Sequence, residues 1–224
     1  MGLAPHLGRI AIQLRVGSAL IVRTVALRSI FLMAVAVAGR MGTVELAAYQ
    51  IGIGVWTFLA FAYDGIETAG QALVARELGG RRSDEARSAA GRVLLWAIGA
   101  SVVLGVVTLL GHRVLANLFS ADDVVVAAAA GALLWVGVGQ PIAGPAYALD
   151  GVLVGAGDLR FLAGAMLAVA VTFGAGAALT LSTGAGLWAL WATLLVSMAV
   201  RTALMSRRFR SGAWVRTGLP AGSA

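Results

Sequence analysis

Two carboxylates, Asp64 and Glu67, lie well inside a predominantly apolar stretch that runs from Glu45 to Gly80. A bilayer makes an ionised acid expensive unless it faces a bundle interior or a water-filled cavity, so each is a functional candidate. Gln50, Thr57, Asp64 and Gln71 recur every seven residues around them, which keeps all four on one slowly drifting face of a helix. Glu67 and Thr68 widen that face. A polar seam that only glues helices together would account for Gln50 and Thr57 equally well. Desolvation disfavours the charged form of a carboxylate, so an acid placed like this can load and release a proton. A third acid, Asp150, opens an Asp-Gly pair in LDGVL as Asp64 does in YDGIE. Helix capping near the membrane surface is the alternative role for Asp150, because the glycine-rich turn at Gly155 follows closely.

Two arginines, Arg23 and Arg28, fall inside the apolar run that precedes this stretch. Only a short turn joins the two runs, so residues equally far from it share a depth. At 1.5 Å per residue Arg23 lies roughly 24 Å below the turn and Asp64 roughly 27 Å, whereas Arg28 lies roughly 16 Å down, near Thr57. The expected pair is Arg23 with Asp64, directly or through water. Arg28 is expected to face the interior with a partner on another helix, and snorkelling to headgroups is the alternative for Arg23.

These residues need membrane helices to position them, and the composition supplies such helices. The chain has 224 residues, 60% hydrophobic and 12% charged, with 30 glycines, a balance that fits a polytopic helical membrane protein rather than a soluble domain. The predicted fold class is all-α with six transmembrane helices. An N-terminal cytoplasmic or interfacial segment covers 1–16, the six-helix lobe 17–206 and a basic cytoplasmic tail 207–224. The fourth span is predicted to be interrupted at GQPIAGP, where Pro141 and Pro145 remove backbone donors, and Gln140 beside them is a candidate cavity residue. The third span is expected over about Val93 to Leu110, and the start of the chain shows no removable signal peptide.

Enzyme classes find no support. The two histidines, His6 and His112, fall at a terminus and in a predicted loop, cysteine is absent, and no metal-ligand spacing occurs. The excess charge of +7 comes from arginines between spans rather than from a basic face with interleaved aromatics, so nucleic acid is not the expected partner. With six spans both termini share one side. That side holds thirteen of the seventeen arginines, with Arg40 and Arg113 opposite and Arg23 and Arg28 within the first span. The positive-inside rule places the termini in the cytoplasm.

Two runs, ELAAYQIGIGVWTFLAFAYDGIETAGQALVARELGG and, some seventy residues later, YALDGVLVGAGDLRFL, resemble the multidrug and toxic compound extrusion (MATE) transporters, specifically their DinF-like branch. The resemblance extends over about Ser18 to Arg208. It implies a twelve-helix inner-membrane antiporter of two six-helix lobes around a central cavity, exporting drugs and organic cations against protons or sodium. This chain resembles the second, C-terminal lobe at about half the family's length, and the first lobe's proton-coupling aspartate has no counterpart in it. The resemblance transfers to Asp64 and Asp150, while the position of Glu67 is often apolar in the family.

The expectation is a half-length secondary antiporter of drugs or organic cations. Asp64, Glu67, Arg23, Arg28 and Asp150 would form its substrate and proton-coupling site, and Gln50, Thr57, Gln71 and Gln140 would line its cavity. It needs no cofactor beyond a proton or sodium ion, and its partners are the bilayer, a small-molecule substrate and a second six-helix lobe, either a separate chain or another copy. The alternatives are a lipid-linked precursor flippase of the same superfamily, whose cavity would be more cationic, and a non-transporting subunit or truncated remnant.

Overall fold

The computed structural model describes residues 7–215; residues 1–6 of the predicted N-terminal segment and 216–224 of the predicted tail lie outside the described residues. Six helices and no strands make up the described residues: α1 (Leu7–Met41), α2 (Thr43–Gly79), α3 (Ser83–Phe119), α4 (Asp123–Gly155), α5 (Leu159–Thr183) and α6 (Gly186–Arg210). Each contains a stretch long and apolar enough to cross a bilayer.

Successive helices run antiparallel, so α2, α4 and α6 share a direction. Gly52 faces Ala132, and Gly151 faces Glu67, which sets α4 parallel to α2. Gly105 faces Gly137, and Gly144 faces Ser101, which sets α3 antiparallel to α4. α4 is central, packing along α2, α3 and α6, while α1 lies mainly against α5 and only lightly against α2. Small residues permit this closeness, as they do generally where helices associate in lipid. At Gly105 an added Cβ would come within 2.9 Å of the Gly137 carbonyl oxygen. α5 ends on Gly184, whose φ of 63° is the left-handed C-terminal conformation that glycine adopts freely.

Three expectations about the elements are corrected. α4 is continuous through Pro141 and Pro145. Side chains hold its carbonyls around the prolines: Gln140 donates to the Val136 oxygen at 3.0 Å and Thr202 of α6 to the Ile142 oxygen at 2.9 Å. The prolines remove only the N–H groups that would reach the Gly137 and Pro141 carbonyls, and packing along α2, α3 and α6 keeps the segment helical. The third helix extends well past Val93 to Leu110, starting at Ser83 with Asp84 and Glu85 in its first turn, where acids complement the helix dipole, and taking in most of the link predicted after Leu110. The segment predicted as a tail from 207 begins inside a helix. α6 continues to Arg210, Arg208 pairs with Asp158 at 2.6 Å, and the buried Trp214 stacks on Phe209 and donates to its carbonyl at 2.9 Å.

Candidate functional site

A cavity of about 280 Å³ opens between α1, α2, α4, α5 and α6. Its wall carries Arg23, Asp64, Glu67, Asp150 and Arg201 together with the aromatic rings of Phe31, Trp56, Tyr147 and Trp191. Five charges from four helices meet in this cavity, whose remaining wall is largely apolar or aromatic. Asp150 is the hub. It is fully buried, and Arg201 Nη2 donates to its Oδ2 at 2.7 Å. Arg23 grips the same carboxylate from α1, with Nε donating to Oδ1 at 3.3 Å and Nη2 to Oδ2 more closely. Arg23 also lies 3.9 Å from Glu67. The guanidinium of Arg201 stands over the Tyr147 ring at 5.3 Å from its centroid, a cation–π contact that gains strength away from water.

The local sequence explains this placement. Gly151, immediately after Asp150, lets α4 approach so closely that an added Cβ would run into the Glu67 backbone, and Gly155 repeats the approach one turn later against Gln71. These contacts fix Asp150 and Glu67 at one level. Behind them Tyr63 stacks on Tyr147, with centroids 5.3 Å apart, and donates its hydroxyl to Gln140 Oε1 at 2.9 Å. Trp191 Nε1 and Arg201 Nε are buried donors with no hydrogen-bond partner among the described residues. Both belong to side chains that line the cavity.

Several sequence expectations are redistributed. Arg23 pairs with Asp150 and approaches Glu67, not Asp64; depth matching found the right level, but α1 leans on α5, and the nearest buried acid is on α4. Asp150 is no cap, since α4 continues past it to Gly155. Arg28 is exposed on α1, lies outside the cavity wall and forms no ion pair among the described residues, so it does not face the interior as expected. Gln140 is buried and bound by Tyr63 and Val136 instead of lining the cavity. Gln50, Thr57, Asp64 and Gln71 do share one face of α2, but it is the exposed face of the lobe, and of the four only Asp64 borders the cavity. Thr57 donates to the Ile53 carbonyl of its own helix at 2.8 Å. Sequence reasoning missed Arg201 by counting it with the solvated arginines, although it falls inside the sixth apolar run, which was the available signal. Trp56, Trp191 and Tyr147 carried no such signal, because they come from three different helices.

The sequence profile of the MatE family matches residues 19–180, a segment that includes Arg23, Asp64, Glu67 and Asp150. The chain belongs to the MatE family. The MatE chain is 32% identical to Protein DETOXIFICATION 43 of Arabidopsis thaliana over 199 residues, 89% of this chain and 38% of that protein. Protein DETOXIFICATION 42 of the same plant is 31% identical over 196 residues, 88% and 38% of the two. The "Uncharacterized transporter YisQ" of Bacillus subtilis (strain 168) is 25% identical over 187 residues, 80% and 40%. The chain thus spans about two fifths of the length of these relatives. Among solved structures, a MOP superfamily transporter from Pyrococcus furiosus Vc1 (DSM3638) superposes with a TM-score of 0.80 at 18% identity, covering 86% of this chain and 43% of that one. At that identity the likeness is one of fold.

Proposed function

We propose that this MatE chain is one six-helix lobe of a secondary antiporter that exports organic cations or drugs against protons or sodium, and that it corresponds to the C-terminal lobe of a DinF-like exporter. The observation that carries the reading is the division of labour among the three acids. Asp150 is saturated by two arginines, whereas Asp64 has no ion pair among the described residues and Glu67 has only the 3.9 Å approach of Arg23. Asp64 and Glu67 are therefore the carboxylates available to a proton, a sodium ion or a cationic solute, and the Trp56, Tyr147 and Trp191 rings beside them suit a flat or lipophilic cation.

In this mechanism Asp150 organises the site and the other two acids titrate against the solute. A solute cation and a proton compete for Asp64 and Glu67, so loading one discharges the other. Release to the far side requires the lobe to rock against a second one around a site near the midplane. The exposed polar face of Gln50, Thr57, Asp64 and Gln71 is suited to form the facing wall of that cavity. The arginine distribution supports an inner-membrane protein with both termini in the cytoplasm. A flippase for lipid-linked precursors would need a more cationic cavity, and three acids against two arginines already engaged by Asp150 argue for cations instead. Everted vesicles carrying the chain together with its second lobe should accumulate ethidium when a pH or sodium gradient is imposed, and Asp64→Asn or Glu67→Gln should cut the rate by about a hundredfold or more, the share that a positioned acid–base group contributes to a proton transfer. Accumulation unaltered by both substitutions would overturn the antiport assignment; none in the wild type would favour a non-transporting subunit.

A further inference from the structure

On the other flank of α2, away from the cation cavity, a second concavity runs between α2 and α3. Its inner part is an apolar groove of about 340 Å³ floored by Gly65 and Ala69 and walled by Leu73, Val93 and Trp96. Its outer part is a cup of about 240 Å³ bearing Arg76, Arg82 and Arg92 with Glu77, Glu85 and Ser88. The two share Leu73, Ala89 and Arg92 and so form one continuous depression. We propose that this depression is a binding site for an anionic phospholipid, with one acyl chain in the groove and the headgroup phosphate on Arg92 and Ser88.

Three features fit that occupant. From Leu73 to Gly65 is eight residues, roughly 12 Å of helix, most of the roughly 15 Å of hydrocarbon that one leaflet contributes to a bilayer core. Polarity changes at the matching depth: α3 is polar and charged up to Arg92, then exposes Leu95 and the 75%-exposed Trp96, an aromatic in the position of an interfacial anchor. The charge is complementary, because the cup holds three arginines against two acids. Glu77, almost wholly buried, pairs with Arg76 and Arg82 at 2.7 Å each and fixes them at the rim. Arg92 makes no ion pair among the described residues and donates to Ser88 Oγ at 2.7 Å. A hydroxyl beside a guanidinium with no acid partner gives a phosphate two donors at one point. Glu85 sits at the same rim and forms no ion pair among the described residues, so the site should prefer a phosphodiester with no appended carboxylate. Basic recesses between membrane helices on the arginine-rich side commonly take such headgroups.

The test is native mass spectrometry of the purified full chain titrated with dioleoylphosphatidylglycerol or dioleoylphosphatidylcholine of equal chain length. The glycerol lipid should bind in preference, and Arg92→Ala should weaken it about fivefold, the factor that a headgroup contact of about 1 kcal/mol is worth. Ala69→Trp, which fills the groove and leaves every arginine in place, should weaken it as well. Arg113→Ala, at the opposite end of α3, should leave binding unchanged and serves with circular dichroism as the folding control. Inorganic phosphate should not compete, since it lacks the chain that the groove holds. Equal retention of the two lipids, indifference to both Arg92→Ala and Ala69→Trp, or displacement by phosphate alone would overturn the proposal. So would a dimer that Ala69→Trp dissociates, because a second copy would then be the occupant.

Discussion

Replacing Asp150 by Ala should lower the stability of the lobe by about 3–5 kcal/mol, the usual consequence of deleting one partner from a buried ion pair. In a protein of this size that is a fall of roughly 6–20 °C in the unfolding midpoint, measured in lipid nanodiscs. The two arginines would not suffer equally. Arg23 is partly exposed and has Glu67 at 3.9 Å to turn to, while Arg201 is buried, already has one unpaired donor in Nε, and would keep the Tyr147 ring and a longer-range attraction to Glu67 but no ion pair among the described residues. Arg201 thus accounts for most of the loss. It follows that Asp150→Leu combined with Arg201→Leu should recover much of the stability, because apolar replacement of a whole buried pair is often neutral. An Asp150→Ala protein with the wild-type midpoint would show that the cluster is not desolvated.

The second large effect is expected at Gly151. Leu there would drive its Cβ into the Glu67 main chain, where the obstacle is backbone and cannot rotate aside. Overpacking of this kind costs about 1–3 kcal/mol and more when backbone must move. Because α2 would be displaced at Glu67, the substitution should also weaken solute binding. Gly99→Leu on α3 is the comparison: nothing lies within 4 Å of its added Cβ, so it should change neither the unfolding midpoint nor binding. Equal behaviour of the two variants would contradict the close approach of α2 and α4 described above.

The membrane-spanning architecture was readable in the sequence because the cost of an unsatisfied backbone in lipid leaves few choices besides a helix. Six apolar runs became six helices, and the resemblance to the MATE transporters agreed with the MatE match. Side-chain partners were less legible. Depth along a hairpin is a one-dimensional measure, and it set Arg23 level with the acid cluster without telling which helix α1 would lean upon; that depended on α5 and on the small residues of α4. The heptad of Gln50, Thr57, Asp64 and Gln71 gave the right face of α2, but periodicity does not say whether a polar face turns into a bundle or out of it. Proline was misleading for a related reason. Pro141 and Pro145 remove two donors, yet α4 stays helical because it packs along α2, α3 and α6, contacts that come from distant parts of the chain. Arg201 was hidden by the opposite habit, that of reading an arginine near the end of a span as a topological marker.

The central claim is that Asp64 and Glu67 exchange a proton for a cationic solute while Asp150 stays locked between its arginines. Proton release on binding tests it most directly and needs no second lobe. Calorimetric titration of the purified chain with ethidium in buffers of different ionisation enthalpy should show heats that depend on the buffer, the sign of a proton leaving as the cation arrives. The Asp64→Asn, Glu67→Gln double variant should lose that dependence while keeping its unfolding midpoint. Binding with buffer-independent heats in the wild type, or proton release that persists in the double variant, would contradict the account.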